Sequence, residues 1–172
     1  MYLQQPQLLQ IALDTKDVVY TPDWAARDMV EFFKPFGRIL DPCKGDGVFL
    51  KYLPSNAEWC EIAEGRDFYQ WSEPVDWLVG NPPYKQFGKW MYHSMAIANH
   101  ILYLLPLDKP FISWKMMRTM RDWGRVKHMR AYGMGTHLCF PMGFAVGALY
   151  FEKGYHGPMW SSYYEPQKRN DG

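Results

Sequence analysis

The run Val75-Asp76-Trp77-Leu78-Val79-Gly80 ends on Asn81-Pro82-Pro83-Tyr84, and this junction constrains the chain more than any other stretch. The apolar run reads as a buried strand. The four residues after it therefore sit where a strand stops and a loop begins. Such a set suits the holding of a planar group that carries an amino nitrogen. The Asn81 side-chain oxygen and a proline carbonyl can accept the two amino hydrogens. Proline offers a carbonyl without a competing N–H, and its fixed φ stiffens the loop. Tyr84 can lay its ring against the planar group. The competing reading of the four residues is a rigid turn.

The chain has 172 residues, the size of one domain with a real core. Its 12 Tyr, 10 Phe and 8 Trp make it ring-rich, which reads first as core and second as a stacking surface. A net charge of +1 supplies no global positive field, so any binding of nucleic acid must use a local patch. No run of eighteen apolar residues and no secretory signal is visible, so a soluble, cytoplasmic protein without a membrane partner is expected. Cys43, Cys60 and Cys139 are far apart and odd in number, which fits reduced thiols and neither a disulfide framework nor a zinc site. The five His show no metal spacing, and no metal is expected.

Residues 1–19 are polar and Gln-rich and read as a loose arm. Thr21-Pro22 opens a helix, with Thr21 as N-cap and Pro22 at the first helical position. Ala25, Met29, Phe32 and Phe33 form its apolar stripe, and Pro35 and Gly37 end it. Residues 38–40 are a short strand, 48–53 a short helix, and 58–62 a second strand. A short third segment surrounds Asp67-Phe68, which makes residues 75–80 the fourth. A helix is predicted over 86–98, with Trp90, Met91, Met95 and Ala98 facing inward, then a buried strand over 101–105 and a helix over 111–122. Residues 125–132 and 144–152 read as strands joined by the Gly-rich stretch 133–143, and 154–172 as a polar tail without a period. Alternation of this kind predicts an α/β fold, a mostly parallel sheet with helices on both faces.

The segment Asp41-Pro42-Cys43-Lys44-Gly45-Asp46-Gly47 follows the first strand. Gly45 and Gly47 let the backbone turn sharply and approach a ligand closely. Asp41 can accept a hydrogen bond or balance a positive charge. Glu61, twenty residues on, ends the second strand, from which an acidic side chain reaches a ribose diol. Asp67 offers an acceptor for an adenine amino group and Phe68 a ring face. Together these read as a site for an adenosine-containing cofactor. The glycines alone also fit a plain tight turn. The third glycine of a dinucleotide fingerprint is missing, and there is no Gly-Lys-Ser/Thr phosphate loop. In a doubly wound sheet the first strand and the strand before Asn81 are neighbours where the order reverses, so the two loops share one crevice.

In these motifs the chain resembles the S-adenosylmethionine-dependent DNA adenine-N6 methyltransferases. The residues that carry the likeness are Tyr20-Thr21-Pro22, the 41–47 loop, Glu61, Asp67-Phe68 and Asn81-Pro82-Pro83-Tyr84, in an order similar to the gamma arrangement. The wider pattern, with 143–151 as a final strand, is similar to small phage-encoded members and covers roughly residues 20–152. The resemblance implies a Rossmann-like doubly wound sheet, mostly parallel with an antiparallel final strand. It implies an N-terminal arm over 1–19, a catalytic domain over 20–153 and a tail over 154–172. Tyr20, Thr21, Pro22, Asp41, Cys43, Gly45 and Gly47 would belong to the cofactor site, with Thr21 and the Gly45–Gly47 loop holding the methionine part, Glu61 the ribose, and Asp67 with Phe68 the adenine. Asn81, Pro82, Pro83 and Tyr84 would be catalytic, clamping a base flipped out of DNA. Lys85, Lys89 and Phe140 would contact nucleic acid, although Phe140 also suits a core position and Cys43 a packing one. Localisation would be the cytoplasm, that of the host if phage-encoded. Only 133–143 and the tail are spare for reading a target, so a short or relaxed recognition sequence is expected, or help from a homodimer or a second subunit. The rivals are an RNA amino-methyltransferase and a non-catalytic cofactor-fold partner that binds nucleic acid. Lys109, Lys115, Arg118, Arg121, Arg125, Lys127 and Arg130 concentrate charge that either tracks phosphates or lies on a solvated helix face.

Overall fold

The computed structural model of the protein describes residues 20–138 and 144–165. Seven strands form one sheet: β1 (Ile39–Asp41), β2 (Glu58–Trp59), β3 (Val75–Gly80), β4 (Ala98–Pro106), β5 (Val126–Met134), β6 (Ala145–Glu152) and β7 (Trp160–Tyr163). Their order is β2-β1-β3-β4-β6-β5-β7. The β2, β1, β3 and β4 strands are parallel, and β6 runs antiparallel between β4 and β5. The helices are α1 (Asp23–Phe33), α2 (Phe87–Ile97) and α3 (Trp114–Trp123).

The apolar runs are continuous because both faces of the sheet are covered. Trp77 and Val79 of β3, Leu102 and Leu104 of β4, and Val146 and Ala148 of β6 pack on one face against Ala25, Ala26, Met29 and Val30 of α1. The alternate residues Leu78, Ile101, Tyr103, Leu105, Leu149 and Phe151 pack on the other face against Met91 and Met95 of α2 and Met116 and Met120 of α3. Each fully buried side chain of this size contributes about 1.5–3 kcal/mol. A bond from Trp123 Nε1 to the Met95 carbonyl, 2.8 Å, ties α3 to α2.

The architecture agrees with the α/β expectation, and several local readings change. Pro22, not Thr21, is the N-cap of α1, with its carbonyl accepting from Ala25 and Ala26. The buried stripe of α1 uses Ala26 and Val30, whereas Phe32 is exposed. Lys34 closes the helix in the left-handed region at φ 50°, donating to the Val30 carbonyl. The stretch 48–53 contributes only a 3₁₀ turn, Phe49–Lys51. Around Asp67 there is no strand but a 3₁₀ turn, Phe68–Gln70, so the strand before Asn81 is the third in the chain. Ala98 starts β4 instead of ending α2.

The final segment had no visible period, yet Trp160–Tyr163 adds the edge strand β7, parallel to β5. Tertiary partners select it: Ser162 Oγ lies 2.8 Å from His128 Nε2, and Tyr164 stacks on Trp24 at 4.7 Å between ring centres. Among the described residues no helix is long and apolar enough to cross a membrane.

Candidate functional site

From β1 the chain crosses to β2 on one side, and β3 pairs with β1 on the other. The order therefore reverses between β1 and β3, and the loops after both strands rise from the same crevice, as expected. Gly80 lets them approach. A β-carbon there would lie 3.1 Å from Asp41 Oδ1 and 3.2 Å from Pro42 Cδ, so a side chain would push the end of β1 back by a few tenths of an ångström. Cys43 spans the join: its thiol donates to the Asn81 carbonyl at 3.2 Å, and its N–H donates to Asp41 Oδ1 at 3.1 Å.

Asp41 is wholly buried under this join, and its Oδ2 has no hydrogen-bond partner. Burial pushes its carboxyl up to about 7. The Cys43 thiol is raised well above its usual range by burial, with the Asp41 charge adding to it. It is a neutral hydrogen-bond donor, not a nucleophile.

Gly45 and Gly47 occupy the left-handed region at φ 54° and 82°, where a β-carbon is strained. The Gly45 N–H donates to Glu61 Oε2 at 2.9 Å, and Glu61 Oε1 accepts from the Ala63 N–H at 3.1 Å. Glu61 does not end a strand. It lies two residues beyond β2, held by a bridge in which it exchanges backbone bonds with Arg66. Its carboxylate thus links the glycine loop to the neighbouring turn. Asp67 Oδ1 accepts from the Tyr69 N–H at 2.9 Å and so caps its own turn. Phe68 is only 3% exposed and leans on Trp90, with 4.5 Å between ring centres.

On the facing loop Pro83 leads into the 3₁₀ turn Tyr84–Gln86. The Tyr84 hydroxyl is buried without a partner, and burial raises its pKa, so the phenol stays neutral. A cavity of about 940 Å³ opens between the loops. Tyr20, Thr21, Cys43 and Gly45 line one wall, Glu61, Asp67 and Phe68 another, and Asn81, Pro82, Pro83, Tyr84 and Lys85 the facing one. Of the remaining sequence candidates, Pro22, Asp41, Gly47 and Lys89 do not line it. Asp41 and Gly47 shape the loop from behind, Pro22 caps α1, and the Lys89 ammonium rests 4.0 Å over the Tyr69 ring. Phe140 lies outside the described residues.

Sequence reasoning missed the contribution of the β4–α3 connection, where Asp108, Lys109 and Ile112 border the cavity, and of Tyr69, Trp90 and Phe144. The signal for the first group was available: β4 neighbours β3, so the loop leaving its carboxyl end reaches the same rim. Among the described residues no cluster of His, Cys, Asp and Glu could hold a metal ion.

No family model matches the chain, and no curated protein matches it in sequence. Solved structures do match. A protein assigned as a modification subunit of a type I restriction enzyme, from Vibrio vulnificus YJ016, superposes with a TM-score of 0.62 at 14% identity, over 95% of this chain and 51% of that one. A protein assigned as a class I S-adenosylmethionine-dependent methyltransferase, from Listeria monocytogenes, gives 0.57 at 14% over 90% and 71%. A protein assigned as an RNA methyltransferase, from Pyrococcus horikoshii, gives 0.52 at 14% over 88% and 99%. The chain spans about half the length of the restriction-enzyme subunit it matches. At these identities the likeness is one of fold, and the fold is the Rossmann-like sheet of the S-adenosylmethionine-dependent methyltransferases.

Proposed function

We propose that the protein binds S-adenosylmethionine and transfers its methyl group to the N6 amino group of adenine in DNA. One observation carries the reading: the thiol-to-carbonyl bond from Cys43 to Asn81 joins the glycine loop and the Asn-Pro-Pro-Tyr loop as two walls of one cavity. The donor set fits the cofactor. The volume suits a nucleoside-sized ligand, and Glu61 and Asp67 supply carboxylate acceptors for ribose hydroxyls and an adenine amino group. Asp41 places an incompletely satisfied carboxyl behind the loop, which a cation seated above would drive to its charged form.

When bound, S-adenosylmethionine supplies an electrophilic methyl on a sulfonium sulfur. The chain supplies position. Tyr20, Thr21 and the Gly45 turn hold the amino-acid end. The Asn81 side-chain oxygen and the Pro82 carbonyl accept the two amino hydrogens of the target, directing its nitrogen lone pair at the cofactor. These bonds would sharpen as the nitrogen becomes tetrahedral, so the clamp would favour the transition state without a strong base. The nitrogen–methyl bond forms as the sulfur–methyl bond breaks, S-adenosylhomocysteine leaves, and the surplus amino proton passes to water. Tyr84 supports the base plane. Its stacking returns on the order of 1–3 kcal/mol against the few kcal/mol that flipping costs. The reading carries a short or relaxed recognition sequence, with base contacts from a second subunit or second copy of the chain as the alternative.

Incubation with labelled S-adenosylmethionine and unmethylated DNA or RNA, followed by nucleoside analysis, tests the reading. Label in N6-methyldeoxyadenosine is expected. Label in RNA alone moves the substrate to an RNA amino group, and label in neither refutes methyl transfer to nucleic acid.

A further inference from the structure

The seven basic residues between 109 and 130 form one cluster in the sequence, and the fold splits them between opposite ends of the sheet. Residues 125 and 127 flank the start of β5, which pairs with the end of β6 and so lies at the amino end of β4, away from the cavity. Three of the seven are consumed by ion pairs: Lys127 with Glu152 at 2.7 Å, Arg130 with Asp28 at 2.6 Å and Arg121 with Asp122 at 2.8 Å. Lys109 lines the cavity, and Lys115 and Arg118 follow it on the first turns of α3, with the Lys115 ammonium 5.2 Å from the centre of the Tyr92 ring, which lines the adjoining hollow.

That same connection presents apolar surface to solvent. Ile112 is 65% exposed and Trp114 78%, with Phe111 beside them. Ser113 fixes the element: its Oγ accepts from the Met116 N–H as the N-cap of α3, while Met116 and Met120 anchor the helix in the core. A second hollow of about 210 Å³ adjoins the cavity, and Tyr84, Lys85, Lys109 and Ile112 line both. Ile112 is thus a post between two hollows. One acidic side chain, Asp108, also faces the cavity from this loop.

Resting on the proposed function, we propose that the segment 109–118 is the polynucleotide-contacting rim of the site: Ile112 and Trp114 take the stack beside the extruded base, and Lys109, Lys115 and Arg118 hold the flanking phosphates. The reason is charge and shape. Cations interleaved with exposed apolar side chains match a polymer of phosphates and flat bases, where an aromatic stacks or wedges and lysines neutralise.

The test is binding, read by anisotropy of fluorescein-labelled single-stranded and duplex oligonucleotides of DNA and of RNA, as a function of salt. Trp114→Ala removes an exposed ring and leaves the fold intact. It should weaken binding roughly tenfold or more, with Trp114→Phe restoring most of the loss. The double variant Lys115→Glu, Arg118→Glu should flatten the salt dependence by about 0.9 per lost phosphate contact on duplex and about 0.7 on a single strand. Arg125→Ala, at the far end, should bind as wild type. The favoured arm, DNA or RNA, identifies the source of the backbone. The inference is overturned if the protein binds none of the four, if the rim variants bind unchanged, or if Arg125→Ala costs as much as they do. Wild-type protein that binds through the rim yet methylates no nucleic acid sustains the rim and sinks the catalytic reading. Unchanged binding with intact methyl transfer does the reverse.

Discussion

The two ends of the sheet treat polar groups in opposite ways. At the amino end of β4, His100, Tyr150, Glu152 and Lys127 satisfy one another. Tyr150 donates to Glu152, so its oxygen can only accept from His100 Nδ1, 2.8 Å away. Lys127 adds the cation, and Trp77 stacks on both His100 and Tyr150. On the same side of the sheet, Asp28 of α1 takes two bonds from Arg130, at 2.6 and 2.8 Å, and one from Tyr132 at 2.7 Å. At the carboxyl end of β1 and β3, by contrast, Asp41 Oδ2 and the Tyr84 hydroxyl are buried with no partner. A buried polar atom without a partner costs about 1–3 kcal/mol. These two clusters are closed chemistry and hold the fold. The carboxyl end of β1 and β3 leaves two buried polar atoms unpaired, the Tyr84 side chain lining the cavity and Asp41 behind it. The exception beside the first cluster is the Trp77 indole N–H, which has no partner and for which the structure offers no explanation.

Substitutions can break this contrast, and the largest effect belongs to the satisfied cluster around Asp28, beside the carboxyl half of β4. Asp28→Ala strands the Arg130 guanidinium, whose side chain is 13% exposed, and should destabilise by roughly 3–5 kcal/mol in denaturant unfolding. The folded fraction should still bind S-adenosylhomocysteine with wild-type affinity. A loss of affinity without a loss of stability would reverse the assignment of the Asp28 cluster to the fold and of the β1–β3 loops to the site.

Asp41→Asn should do the opposite. The carboxyl sits near 7 in the folded protein against its ordinary 3.8. A raised value means that the folded state binds the extra proton, so this residue's contribution is full below about pH 4 and is lost as pH rises through 7. The asparagine variant removes that loss and should be more stable than wild type at pH 8, by up to a few kcal/mol, and no more stable at pH 4. Equal pH profiles for the two proteins would show that Asp41 is already compensated. Glu61→Gln gives the smallest effect. Losing the charge that faces the glycine loop should weaken S-adenosylhomocysteine about tenfold by calorimetry, with the melting temperature nearly unchanged.

The same contrast explains what could be read from the sequence. Buried strands and the glycine and Asn-Pro-Pro-Tyr loops announce themselves locally, because their pattern or turn chemistry admits few alternatives, and their meeting at β1 and β3 follows from doubly wound order. What escaped detection depends on distant partners. β7 exists because Ser162 meets His128 and Tyr164 meets Trp24. The turn after Asp67 looked like a strand because its capping bond to Tyr69 leaves no period. Glu61 read as the end of β2 reaching a ribose, but the bridge to Arg66 that sets it beyond β2, with its carboxylate on the glycine loop, spans residues whose pattern signals nothing. The charge run from 109 to 130 could be sorted only by knowing which end of β5 faces the cavity.

Asn81→Ala tests the central claim most directly, with S-adenosylhomocysteine affinity and methyl transfer measured on one preparation. Affinity should stay within about twofold of wild type while turnover falls by roughly a hundredfold or more. Turnover at the wild-type rate would mean that the amino group is held elsewhere, and the account of two loops forming one site would be wrong.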